Sequence, residues 1–148
     1  MDKKVNPAKE FLGRYTALNK SIDSLTRSID AAMDRATKCT YTLNPIKVQG
    51  GGGAYDRMAE DIATKLDCVN LLMAAREEAM KALQQILDAI DSLPNETQRL
   101  LLRLRYVEGL KWEDVEHRIN YEHSRTNELH GLALVKINRW LKLRTKTE

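Results

Sequence analysis

Aromatic residues are scarce: the 148-residue chain has one Phe, two Trp and five Tyr. Before Leu93 the aromatics are Phe11, Tyr15, Tyr41 and Tyr55, spread singly, so this region offers no stacked platform for unpaired bases. Proline is equally sparse, with three in all, and none falls between Pro7 and Pro45 or between Pro45 and Pro94, which leaves room for two long uninterrupted helices. The two cysteines, Cys39 and Cys68, have no second cysteine near them, so neither a zinc knuckle nor a redox pair is indicated. No stretch approaches the roughly 20 uncharged apolar residues of a membrane span, and Met1-Asp2-Lys3-Lys4 is not followed by an apolar signal core. A cytoplasmic protein without membrane contact is the expectation. No nucleophile elbow, P-loop, metal signature or buried carboxylate pair can be assembled from the chain. It therefore reads as a protein that is not an enzyme and needs no cofactor.

What is present is helical patterning. From Phe11 the apolar residues run Phe11, Tyr15, Leu18, Ile22, Leu25, Ile29, Ala32 and Ala36 in alternating steps of four and three, which predicts a helix over about 7–37 with a heptad seam. Residues 38–54 break this pattern. Asn44-Pro45 opposes helix and Gly50 to Gly53 gives the backbone maximum freedom, so a flexible linker is expected. A second helix over about 55–90 carries Met58, Ile62, Leu66, Val69, Met73, Met80, Leu83, Leu87 and Ile90, with Arg76 interrupting the stripe. The two helices are expected to fold back as an antiparallel hairpin with a thin core, and self-association through its remaining apolar edges follows.

Leu93-Pro94 closes this arm, and Asn95-Glu96-Thr97-Gln98 has the form of a capping box in which Asn95 accepts from the Gln98 amide and Gln98 reaches back. The predicted division is a hairpin arm at 1–92 and a separate C-terminal domain at 93–148. In the latter, Leu100, Leu101, Leu104 and Val107 are the expected buried face of a helix, and Glu108-Gly109 the following turn. Counting Trp112 as position one, apolar or aromatic residues fall at four (Val115), eight (Ile119), ten (Tyr121) and eighteen (Leu129), the positions at which a DNA-binding helix-turn-helix buries side chains. Glu116, Asn120 and Thr126 take the places where a small residue, Gly and an aliphatic are usual. Asn120 tolerates a left-handed turn and Thr126 has a methyl to bury, while Glu116 requires either that the two helices splay slightly or that its carboxylate snorkels to a cation at the rim. The last helix should run from about His123 through Leu129, Leu132, Val135, Ile137 and Trp140.

Leu93-Pro94, the run Arg99 to Leu110 and Trp112-Glu113-Asp114-Val115 resemble region four of bacterial sigma factors, and more closely the short phage transcriptional regulators built on that module; Ala133-Leu134 is similar to the family's ending. The resemblance implies an all-α protein, active in a bacterial host cell, that binds double-stranded promoter DNA and has RNA polymerase as a second partner. On that resemblance His123, Ser124 and Glu128 stand where the family meets bases. The outward side chains His123, Ser124, Arg125, Asn127 and Glu128 open the second helix, where Arg125 suits guanine and Asn127 adenine; they equally suit the solvated start of a surface helix. Phosphate contacts would come from Lys111, Arg118 and Arg139, with Arg103, Arg105, Lys142 and Arg144 as further candidates. Residues 94–148 hold 11 Lys+Arg against 8 Asp+Glu, which places the whole net charge of +3 in this part. His117, His123 and His130 lack the close pairing of a metal site and read as surface or groove residues, while Trp112 and Trp140 read as packing. Two rivals stay open: a phage DNA-packaging recognition subunit resembling a small terminase, and a protein-interaction module that has lost DNA binding.

Overall fold

The computed structural model describes residues 6–41 and 53–147, and among these every regular element is a helix. Its elements are α1 (Pro7–Tyr41), α2 (Gly53–Asp91), α3 (Glu96–Leu102) continuing into a π-helical turn (Arg103–Val107), α4 (Trp112–Ile119) and α5 (His123–Arg144). Most of the expected linker at 38–54 lies outside the described residues. Its described ends, up to Tyr41 and from Gly53, are helical. No described helix is long and apolar enough to cross a membrane.

The chain forms two compact units, Met1–Leu18 with Ala79–Glu148, and Asn19–Glu78. This partition differs from one at residues 92 and 93, and the first unit's core explains why. Ala8 and Leu12 of α1 and Ile86, Ala89, Ile90 and Leu93 at the end of α2 share one buried cluster with Leu101, Leu102, Leu104, Val115, Leu129, Ala133, Leu134 and Ile137. The short α3 and α4 with α5 are too few to enclose a core of their own, so the ends of α1 and α2 supply its remaining walls. Polar contacts reinforce this: Thr16 Oγ1 donates to the Tyr106 carbonyl at 3.1 Å, and Asn138 Nδ2 donates to Asn6 Oδ1 at 3.0 Å. The same Asn6 oxygen accepts from the Ala8 amide and caps α1.

Up to Ala89 the buried stripe of α2 is one residue earlier than expected, while Leu83 and Leu87 of the expected stripe are half-buried and Ile90 is buried as expected. Ala79, Ala82, Ile86 and Ala89 are buried and Cys68, Leu72 and Ala75 half-buried, again in steps of four and three, while Ile62, Leu66, Val69, Met73 and Met80 are exposed. One residue turns a helix by about 100°, so choosing the largest apolar side chains selects the wrong face when the close contact is made by alanines. Arg76 is therefore an exposed residue and does not interrupt the seam. In the second unit, Ile29, Ala32 and Met33 of α1 line a shallow groove with Asp61, Thr64, Lys65 and Cys68 of α2.

In α3, Asn95 Oδ1 accepts from the Gln98 amide at 3.1 Å, as a cap should, but Gln98 does not reach back. Its side chain is buried and accepts from Lys136 Nζ at 3.2 Å. Leu100, expected inside, is exposed, and Leu102 takes its place in the core. The π turn then adds a residue, the Glu108 amide reaching the Arg103 carbonyl at 3.0 Å, and Gly109 at φ 72° ends the segment in a conformation suited to glycine.

Candidate nucleic-acid interface

The short α4 and the long α5 meet through a turn at Asn120, whose φ of 57° and ψ of 44° place it in the left-handed region. Asn is the side chain that adopts this shape most readily after Gly, so the substitution at the turn preserves its geometry. Val115 of α4 packs in the core with Leu129 and Ala133 of α5, and Ile119 leans on the same cluster. Tyr121, expected inside, is exposed, because the turn carries it past the point where α4 and α5 converge. Leu132 and Val135 of α5 are likewise exposed, and Thr126, His130 and Leu134 occupy the inward positions.

Where the π turn, α4 and α5 meet lies a polar-aromatic cluster of Tyr106, Trp112 and His130, in which Trp112 packs as expected and His130 was expected at the surface. His130 is buried, its Nε2 is 2.9 Å from the Tyr106 hydroxyl, and its ring meets the edge of Trp112 at 4.7 Å. Burial, with a contribution from Lys9 and Arg105, lowers the His130 pKa to about 4, so the ring is neutral. Burial also raises the Tyr106 pKa, against the pull of Arg105. The Arg105 guanidinium sits 4.9 Å from the Trp112 ring centre and donates to the Leu110 carbonyl at 2.7 Å. Half-buried, this guanidinium is engaged by the Trp112 ring and the Leu110 carbonyl. Trp140 packs against Phe11, with Arg144 over its face, as a packing residue should.

The structure brings His123, Ser124, Arg125, Asn127 and Glu128 together as exposed residues in the first two turns of α5, beyond the buried Thr126. Four of the five are already hydrogen-bonded on their own surface. Arg125 Nη1 donates to Glu128 Oε2 at 2.6 Å, one turn along the helix. His123 Nδ1 lies 2.6 Å from Glu116 Oε1, and Asn127 Nδ2 lies 2.9 Å from His123 Nε2. The partner Glu116 finds at the rim is this imidazole N–H and not a lysine or arginine. Its role as a partner of the α5 side chains was not foreseen, although the spacing of His123 and Asn127, one helical turn apart, was the available signal.

Lys111 is exposed at the start of α4, Arg118 makes a 3.4 Å exposed pair with Glu108, and Arg139 is exposed on α5. Arg103 pairs with Asp91. Such solvent-facing pairs are weak and exchange readily for a phosphate. Among the described residues no group of three or more His, Cys, Asp or Glu gathers as a metal site. No protein-family model matches the chain, and no curated protein or solved structure matches it.

Proposed function

We propose that the protein is a phage or prophage transcription regulator that binds double-stranded promoter DNA through a helix-turn-helix formed by α4 and α5, similar to region four of sigma factors, with RNA polymerase as its second partner. The observation that carries this reading is the start of α5. Five exposed polar side chains, His123, Ser124, Arg125, Asn127 and Glu128, project from a helix whose opposite face is fixed against α4 by Val115, Leu129 and Ala133. A helix held in this way presents hydrogen-bonding groups to the major groove without ordering a loop. Lys111, Arg118 and Arg139 would meet phosphates at its flanks.

Selection from a random duplex library by the full-length protein, followed by titration at two salt concentrations, tests the proposal. Arg125→Ala should weaken the selected site by about 1 to 3 kcal/mol and flatten discrimination, whereas Lys142→Ala, far along α5, should weaken all duplexes alike. The absence of any salt-dependent duplex binding would favour the interaction-module reading. The exposed apolar residues Ile62, Leu66, Val69 and Met73 on α2 favour a second reading, a self-associating DNA-packaging recognition subunit of the small-terminase kind. Light scattering separates the two, because a ring of many copies supports packaging and a monomer or dimer supports regulation.

A further inference from the structure

The contacts of His123 with Glu116 and Asn127 fix a direction. A carboxylate accepts only, so the Glu116 oxygen 2.6 Å from Nδ1 requires the imidazole proton on that nitrogen. The Asn127 amide nitrogen lies 2.9 Å from Nε2 and can only donate, so Nε2 is the acceptor there. Turning the Asn127 amide over would set its oxygen against the Nε2 lone pair. The amide is thus held with one N–H spent on His123 and with Oδ1 and the second N–H remaining. Glu116 anchors the chain because its side chain is only 19% exposed, at the contact of α4 with α5, while that of His123 is 71% exposed.

We infer that Glu116 is a positioning residue which, through His123, orients the Asn127 amide to read adenine in the major groove. Adenine presents an N7 acceptor beside an N6 donor, and the remaining N–H and Oδ1 of Asn127 match that pair. Guanine presents two acceptors, N7 and O6, and an amide with one N–H already engaged meets them with a single donor and a repelling oxygen. The carboxylate at this position, which a helix contact would otherwise exclude, has a function in this arrangement: it sets the proton of a neighbouring ring. The inference rests on the DNA-binding reading above.

The experiment uses the full chain and duplexes recovered from a random library, with the base pair lost from the consensus in Asn127→Ala taken as the one Asn127 contacts. At that pair the native protein should prefer adenine over guanine by about 10-fold or more, and 7-deaza-adenine, which lacks the N7 acceptor, should bind about as poorly as guanine. Glu116→Ala should reduce the preference about 3- to 10-fold without changing the salt slope, and Glu116→Gln, which retains an acceptor for Nδ1–H, should largely restore it. Should Glu116→Ala lose helicity by circular dichroism, His123→Phe carries the same expectation, since it keeps a ring without either nitrogen. An adenine preference that Glu116→Ala and His123→Phe leave intact overturns the relay while DNA binding stands. So does an Asn127→Ala variant whose base preferences equal those of the native protein. Failure of the native protein to enrich any duplex overturns the DNA-binding reading together with the relay.

Discussion

In the unit formed by Met1–Leu18 and Ala79–Glu148, Leu12, Ile86, Ile90, Leu101, Leu102 and Ile137 are withdrawn from water, whereas no described side chain of Asn19–Glu78 is fully buried. The same two helices run through both units. What differs is the number of surrounding elements: α3, α4 and α5 close over α1 and α2 in the first, while in the second the described segments have only each other. A pair of helices can shelter one narrow stripe between them, and everything else stays wet. The lesson is that amphipathic sequence supplies a surface to be buried, and its burial depends on how many neighbours the topology provides.

Leu12→Ala and Leu66→Ala should break this comparison open. The first empties a fully buried site of the larger core and should cost about 2 to 5 kcal/mol; the second removes atoms already in water and should cost under about 0.5 kcal/mol in the monomer. Urea titration of both variants followed by circular dichroism checks the contrast. Comparable losses would mean that residue 66 is covered in solution.

The next largest effect is acid sensitivity confined to the first unit. His130 has a folded pKa of about 4 against an ordinary value of 6.5, so between these values the unfolded chain takes up a proton that the fold refuses. Its neutral-ring contribution is fully present above about pH 6.5 and is lost as the pH falls toward 4. The loss should approach about 3 kcal/mol, and His130→Gln, which keeps a partner for Tyr106 without titrating, should flatten that part of the stability profile. Denaturant midpoints between pH 7 and pH 4 provide the measurement; an equal slope in both proteins would assign the acid sensitivity elsewhere.

Thr126→Val sharpens the same comparison at a smaller scale. The Thr126 hydroxyl is buried without a hydrogen-bond partner, in the position of the α4–α5 contact that an aliphatic residue normally fills. Replacing it with a methyl of the same shape should raise stability by about 1 kcal/mol. A thermal shift of zero or below in the valine variant would show that the hydroxyl finds a partner in solution.

Helix identity was legible in the sequence because it depends on spacing and on few punctuating residues: Pro94 and Asn95 separate α2 from α3, and Asn120 marks the turn between α4 and α5. Helix facing was less legible. In α2 the covered face includes the small side chains of Ala75, Ala79 and Ala82, which carry little hydrophobic weight, and in α3 a single position separates the exposed Leu100 from the buried Leu101 and Leu102. The exposure of the residues opening α5 follows from their order after Glu122, so the candidate surface could be placed. Its internal bonding could not, because the approach of Glu116 to His123 depends on how α4 crosses α5. Nor does spacing reveal that Arg105 turns inward onto Trp112, since a cation over a ring and a cation in solvent have the same pattern in one dimension.

The docking of the first turns of α1 against the last helix also bears on the order of assembly. Asn6 and Asn138 are 132 residues apart in sequence, and Thr16 and Tyr106 are 90 apart. Helical proteins commonly fold fast because their contacts are local, but here the core that buries Ala8 and Leu12 includes Leu134 and Ile137. During synthesis the earliest-made apolar residues of this core wait in solvent until the latest have emerged. Loop closure over nearly the whole chain then precedes its completion, which gives an all-helical protein a nucleation problem more familiar from sheets.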